Sequence, residues 1–238
     1  MSLAQTRPAA TVISALHVVR GRLAWREAGA FGLIAALSVL VAFGCSALLA
    51  SSLSANAVVM ENGPHELLQA GTVALAGIGF LIAALRFDFE VFYVTLLGSL
   101  GSFLAALRET PGCSSSFYVG GPCVTATWKD LIPVAGALAA IALVIYRRVP
   151  LARRIDELTI FWLVPVSATV LLLVAAGMAE AQNAVWIEET LELAAFANLL
   201  AFALVVHLRP RWFASTLVAA NANPVDRRAF ARAPAADM

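Results

Sequence analysis

Six apolar runs, at about residues 28–50, 65–85, 90–107, 130–146, 158–179 and 187–208, constrain this chain more than any other feature. Each is close to the roughly 20 residues a helix needs to cross about 30 Å of hydrocarbon. In that medium every backbone N–H and C=O must be satisfied within the segment, so such runs read as helices. Only 13% of the 238 residues are charged, against about a quarter in soluble domains, and mean hydropathy is +0.85. The expected fold class is therefore all-α: a polytopic transmembrane bundle of six helices over residues 28–208. That span leaves no room for a separate soluble domain, and residues 1–27 and 209–238 are expected to flank it. No cleavable signal peptide is expected, because the first apolar run exceeds a signal h-region and no clear cleavage site follows it.

The arginines predict the orientation. With the N-terminus inside, Arg7, Arg20, Arg22, Arg26, Arg86, Arg147, Arg148, Arg153, Arg154, Arg209, Arg211, Arg227, Arg228 and Arg232 are all cytoplasmic. Only Arg108 and Lys129 fall outside. The positive-inside rule then gives cytoplasmic N- and C-termini. These cations report orientation and contact with anionic membrane lipids, and no nucleic-acid partner is expected. Residues 10–26, with Val12, Leu16, Val19 and Leu23 at helical spacing, predict an amphipathic interfacial helix. Trp212 and Phe213 in the C-terminal tail suit the headgroup level.

One connection is long. The outer loop 108–129 holds Pro111, Gly112, Gly120, Gly121 and Pro122, which favour turns over helix. Cys113 and Cys123 flank it on the oxidising side, where a disulfide persists. Closing so short a loop stabilises by roughly 2–3 kcal/mol; the alternative is two free thiols. Gly71, Gly77 and Gly79 in span two, and Gly98, Gly101 and Ser102 in span three, predict close helix contacts. Pro133 is expected in the first turn of span four, and Pro165 as a kink in the middle of span five. Residues 65–86 align without gaps to 188–209, matching Glu66 to Glu189, Gln69 to Glu192 and Arg86 to Arg209. This is a duplicated hairpin or the same topology acting repeatedly on Leu/Ala-rich helices.

The orientation also sorts the acids, and one set of them falls at the outer end. Glu61, Glu66, Glu109, Asp130, Glu180, Glu188, Glu189 and Glu192 all map there, with His65 and Gln69 at the same level. Glu66, Asp130 and Glu188 sit in first turns, where the helix dipole favours a carboxylate by about 0.3–1 kcal/mol. Glu192 lies deeper, roughly 9 Å below Trp186 at 1.5 Å per residue. An ionisable residue at that depth usually faces the bundle interior and marks a site or ion path. The other reading of Glu192 is a buried hydrogen bond or a pair with Arg108 or Lys129.

Carboxylates with amide oxygens suit hard divalent cations, Ca²⁺, Mg²⁺ or Mn²⁺, with Glu66, Glu189 and Glu192 as the candidate ligands. A di-iron bundle would show Glu-x-x-His on two helices, and no such motif occurs. Zinc is disfavoured because His65 is the single outward histidine. Acid–base chemistry between Glu192 and Glu66 is compatible with the pattern, but no Gly-x-Ser-x-Gly elbow, phosphate loop or nucleotide fingerprint is present.

The segment Glu61-Asn-Gly-Pro-His-Glu66 opening one span, with Glu188-Glu-Thr-Leu-Glu-Leu opening the last, resembles a loose group of bacterial multi-pass membrane proteins of unassigned function. Many of these also have a paired-Glu segment followed by Trp-Gly-Gln; here the nearest counterpart is Arg108-Glu109, without that tail. The resemblance implies a bacterial inner (cytoplasmic) membrane location and no particular activity.

Three functions follow as expectations. The first is an acidic, outward-facing pocket between spans two, three, four and six. There Glu66, Gln69, Glu109, Glu188, Glu189 and Glu192 bind a cation or a small polar or cationic ligand, with Arg108, Lys129 and His65 as charge partners. The second is a non-catalytic accessory subunit of a larger membrane complex. The third is a secondary transporter, although such substrate sites tend to lie near the midplane. Whether the protein is an enzyme is left open.

Overall fold

The structure, a computed structural model, describes residues 25–53, 63–87, 89–114, 123–147, 162–209 and 212. Six helices account for nearly all of them: α1 (Trp25–Ser52), α2 (Pro64–Arg86), α3 (Phe89–Glu109), α4 (Ala126–Arg147), α5 (Leu163–Ala181) and α6 (Val185–Leu208). All six are long and apolar enough to cross a membrane, which supports an integral membrane protein in contact with lipid. Large apolar side chains such as Leu40, Leu48, Leu97, Leu138, Leu171 and Leu208 point outward. Water would not tolerate so extensive an apolar surface on a monomer. The expected interfacial helix over 10–26, apart from its last two residues, and the C-terminal tail, apart from Arg209 and Trp212, lie outside the described residues.

Helix α6 is the axis of the bundle, packing against α5, α2 and α1 and touching α3. Helix α2 packs most extensively on α3, while α4 leans on α3 and buries no residue of its own. Between helices in lipid the hydrophobic effect supplies little, so close backbone approach and interhelical hydrogen bonds hold the bundle. Both are present. A Cβ on Gly98 would meet the Phe80 ring at 3.0 Å, and one on Gly77 would meet Ser102 and Phe103 at 3.2 Å. Ser99 Oγ donates to the Gly77 carbonyl at 3.1 Å. Those pairs set an antiparallel α2–α3 register in which the two residue numbers sum to nearly the same value. At the other side of α2, His207 Nε2 donates to the Gly79 carbonyl at 2.9 Å, so that nitrogen carries the proton.

Aromatic rings fill the end of the bundle where α2 finishes. Phe31 and Phe80 each meet Phe202 edge-to-face, at 5.5 and 5.3 Å between centroids, in a core completed by Phe87 and Val206. Such pairs add about 0.5–1.5 kcal/mol each beyond area burial. Arg147 ties α4 to this end, donating to the carbonyls of Leu85 and Phe87 at 3.2 and 2.7 Å and lying over the Phe92 ring. Helix α5 is clamped to α6 by Asn198, whose Nδ2 donates to the Pro165 carbonyl at 2.8 Å and to Thr169 Oγ1 at 2.9 Å.

The turn from α5 to α6 is local chemistry. Asn183 takes the left-handed region, φ +57°, which a short polar side chain tolerates. The N–H of Ala184 then reaches the Ala179 carbonyl at 2.9 Å and that of Asn183 the Glu180 carbonyl at 2.8 Å. This double closure is a Schellman-type ending, and it lets α6 start at Val185 with its acids beside the end of α5.

Three local expectations need correction. Helix α4 begins at Ala126, with Lys129 N–H on the Thr125 carbonyl at 3.0 Å, so Pro133 lies two turns inside rather than in the first turn. Helix α5 begins at Leu163, which puts Pro165 in the first turn, where its missing donor is harmless, instead of at a central kink. Gly71 and Gly101 face open space and mediate no close contact. In the loop between α3 and α4, Cys113 and Cys123 lie at disulfide distance, with sulfurs 2.12 Å apart. Backbone bonds Cys113 N–H to Val124 O (3.1 Å) and Val124 N–H to Pro111 O (2.9 Å) reinforce that junction.

Candidate functional site

The acids expected at one end, among the described residues, are found at the end opposite the aromatic core, where two polar clusters form. The first joins three helices. Ser46 of α1, His65 and Gln69 of α2, and Thr190 of α6 are all fully buried. Thr190 Oγ1 lies 2.7 Å from the Trp186 carbonyl and 3.0 Å from Ser46 Oγ, which is 2.8 Å from His65 Nε2. A carbonyl only accepts, so the Thr190 proton goes to Trp186; Ser46 then donates to Thr190, and His65 donates from Nε2. That tautomer satisfies all three contacts.

Gln69 closes the cluster on its other side. Its Nε2 donates to the Glu189 carbonyl and to Glu189 Oε2, both at 2.8 Å, and lies 3.3 Å from His65 Nδ1. His65 Nδ1 is itself 3.5 Å from Glu189 Oε2. Glu189 is thus held by α2, one turn above Glu192 on α6. Its expected alignment partner Glu66 stands half-buried in the first turn of α2.

The second cluster joins α3 to α6. Arg108 Nη2 donates to Glu192 Oε1 at 2.6 Å, and Arg108 Nε lies 3.6 Å from Glu109 Oε1. The Arg108 side chain is 64% exposed, whereas those of Glu109 and Glu192 are only 8% and 7% exposed. Two buried carboxylates therefore depend on one guanidinium that lies largely outside. Glu109 interacts electrostatically with Glu192, Arg108, Glu189 and Glu66. Glu188 interacts with Glu180, Glu192, Glu189 and Arg108. The helix dipoles divide these acids. Glu66 and Glu188 sit at positive N-termini, but Glu109 sits at the negative C-terminal end of α3, where a carboxylate is disfavoured.

The expected site residues do not all meet. Gln69, Glu109, Glu189, Glu192, Arg108 and His65 are brought together by α2, α3 and α6, with Glu66 and Glu188 at their margin. Helix α4 contributes nothing to either cluster, and Lys129 makes no ion pair with these acids. Span four, expected beside these residues, packs instead through Ala140, Leu143 and Val144 against Ala84, Phe92 and Leu96, toward the opposite end of the bundle. Glu66, Glu189 and Glu192 do not form a metal-ligand set; among the described residues no group of three His, Cys, Asp or Glu side chains can hold a metal ion. Glu192 is instead committed to Arg108, the pairing that its depth left open. Glu61 lies outside the described residues. Ser46 and Thr190 were not legible as site residues, since a lone hydroxyl in an apolar helix commonly bonds its own backbone.

No family model matches this chain, and neither a curated protein nor a solved structure matches it.

Proposed function

We propose that this is a bacterial inner-membrane protein, with cytoplasmic termini, whose acidic outward end binds a small cationic or polar ligand. The observation that carries this reading is the charge imbalance around Arg108: one exposed guanidinium serves two buried carboxylates from different helices, with Glu189 and Glu188 close by. Uncompensated carboxylates in a low-dielectric environment attract cations more strongly than the same groups in water. A positive ligand entering beside Arg108 restores the balance. The motifs shared with the bacterial multi-pass group, and the arginines at the opposite end of the bundle, support the location and orientation.

The test is thermal unfolding of purified protein in detergent against a panel of cations at fixed ionic strength: sodium, magnesium, calcium, tetramethylammonium and ethylammonium. A cation that binds the folded state raises Tm in a concentration-dependent way, and Glu192→Gln should weaken that response. A flat response to the whole panel overturns the reading.

A second reading, an accessory subunit of a larger membrane complex, is favoured by α4 alone, which buries no residue and exposes Trp128, Leu138, Ile141 and Ile145. Purification in mild detergent should then recover stoichiometric partner subunits; a clean monomer counts against it.

A further inference from the structure

Resting on the reading of this end as a cation site, we propose that its ligand is a primary ammonium group, held by Glu109 of α3 together with the amide oxygen of Gln69 of α2. The acids by themselves do not specify a ligand; the unpartnered acceptors do. Gln69 is fully buried, and both hydrogens of its Nε2 are engaged by Glu189, yet its Oε1 has no hydrogen-bond partner. Glu109 Oε1 is also buried without a hydrogen bond, its nearest cation being Arg108 Nε at 3.6 Å, beyond bonding distance.

Helix register brings these two acceptors together. Phe80 meets Gly98, and Gly77 meets Ser102. Continuing the same antiparallel register by two turns sets Gln69 level with Glu109. Glu189, gripped by Gln69, and Glu192 both lie within electrostatic reach of Glu109, so the acceptors of α2 and α3 stand beside the same stretch of α6.

A group that serves both acceptors brings hydrogens to donate, and beside these carboxylates a positive charge is favoured. An ammonium supplies three N–H donors on a compact charge, enough for Glu109 Oε1, Gln69 Oε1 and one further carboxylate oxygen. A quaternary ammonium has the charge but no donor. A divalent metal needs a convergent set of ligands that the described residues do not form. The site lies at the helix ends, so the ammonium has two sources: the headgroup of phosphatidylethanolamine or a soluble amine.

The experiment uses the full chain in nanodiscs. In phosphatidylcholine discs, ethylammonium chloride is titrated against tetramethylammonium chloride at matched ionic strength, with Tm as readout. A parallel arm replaces part of the phosphatidylcholine by phosphatidylethanolamine with no added amine. The expected result is a saturable rise in Tm with ethylammonium, with phosphatidylethanolamine, or with both, and none with tetramethylammonium. The apparent Kd should rise at least about tenfold in Glu109→Gln, as loss of one charge-assisted hydrogen bond requires. Gln69→Met is the second variant, expected to weaken ethylammonium binding while leaving the charge of the site unchanged. A rise in phosphatidylethanolamine discs alone assigns the lipid as the source; a rise with ethylammonium alone assigns a soluble amine. Equal shifts from tetramethylammonium overturn the ammonium assignment and leave the cation site standing. No shift from either amine or from phosphatidylethanolamine, with a shift from sodium or magnesium, overturns it likewise, whereas silence from every cation overturns both.

Discussion

Arg108 is the residue on which the polar end turns. Its guanidinium is 64% exposed, while Glu192 and Glu109 beside it are more than nine-tenths buried. Removing the cation and removing the anion are therefore unequal. Arg108→Ala strands two buried carboxylates, and a destabilisation of about 2 kcal/mol is expected, below the 3–5 of a fully buried pair because solvent already reaches the arginine. Glu192→Gln keeps an acceptor for Arg108 and relieves repulsion from Glu189, so about 1 kcal/mol or less is expected. Denaturant unfolding in micelles measures both, and a larger loss in Glu192→Gln would show that the guanidinium's own environment dominates. The sequence made Glu192 legible by depth and Arg108 by its isolation from the other arginines. It did not show that they meet, because 84 residues separate them and no periodicity relates one helix to another.

At the scale of the helices, the α2–α3 contact sets the site's register. Gly98 and Gly77 let the two backbones approach, and a methyl group at Gly98 would press on the Phe80 ring at 3.0 Å. Phe80 is fully buried against Phe202, so it has little room to yield. Gly98→Ala is expected to destabilise by about 1–3 kcal/mol. Gly71→Ala, with nothing within 4 Å, is expected to be neutral or slightly stabilising through helix propensity. Thermal unfolding of the two variants side by side checks this contrast; equal effects would mean that the close approach is not what holds the pair. From the sequence alone the five glycines Gly71, Gly77, Gly79, Gly98 and Gly101 looked equivalent. Which of them face a neighbour depends on helix rotation, and that is set by all contacts at once. The same holds for Pro133 and Pro165. Their effects follow from where each helix starts, and the starts shifted by four and five residues from the edges of the apolar runs.

At the scale of the molecule, the two ends of the bundle differ in kind. Ser46, His65, Gln69, Arg108, Glu66, Glu109, Glu180, Glu188, Glu189 and Glu192 gather at one end, and Arg86, Arg147, His207 and Arg209, with Glu27 and Glu90, at the other. With the arginine end cytoplasmic, alkaline phosphatase fused after Leu53 or Gln182 should be active, and fused after Phe87 or Arg209 inactive. A reversed pattern would overturn the orientation and place the acidic end inside the cell. The sequence by itself determined the number of helices, their approximate limits and the gathering of Glu66, Glu109, Glu188, Glu189 and Glu192 at one end. These follow from the thickness of a hydrocarbon layer and from charge, which act on each segment separately. It also brought Cys113 and Cys123 together, because a short loop leaves them few other places to be. Only the tertiary structure decided that α4 stands outside the site, that Gln69 grips Glu189, and that Arg108 is shared between Glu109 and Glu192. Each of those depends on which faces of which helices meet, a choice that segment-by-segment hydrophobicity leaves undetermined when every face is apolar.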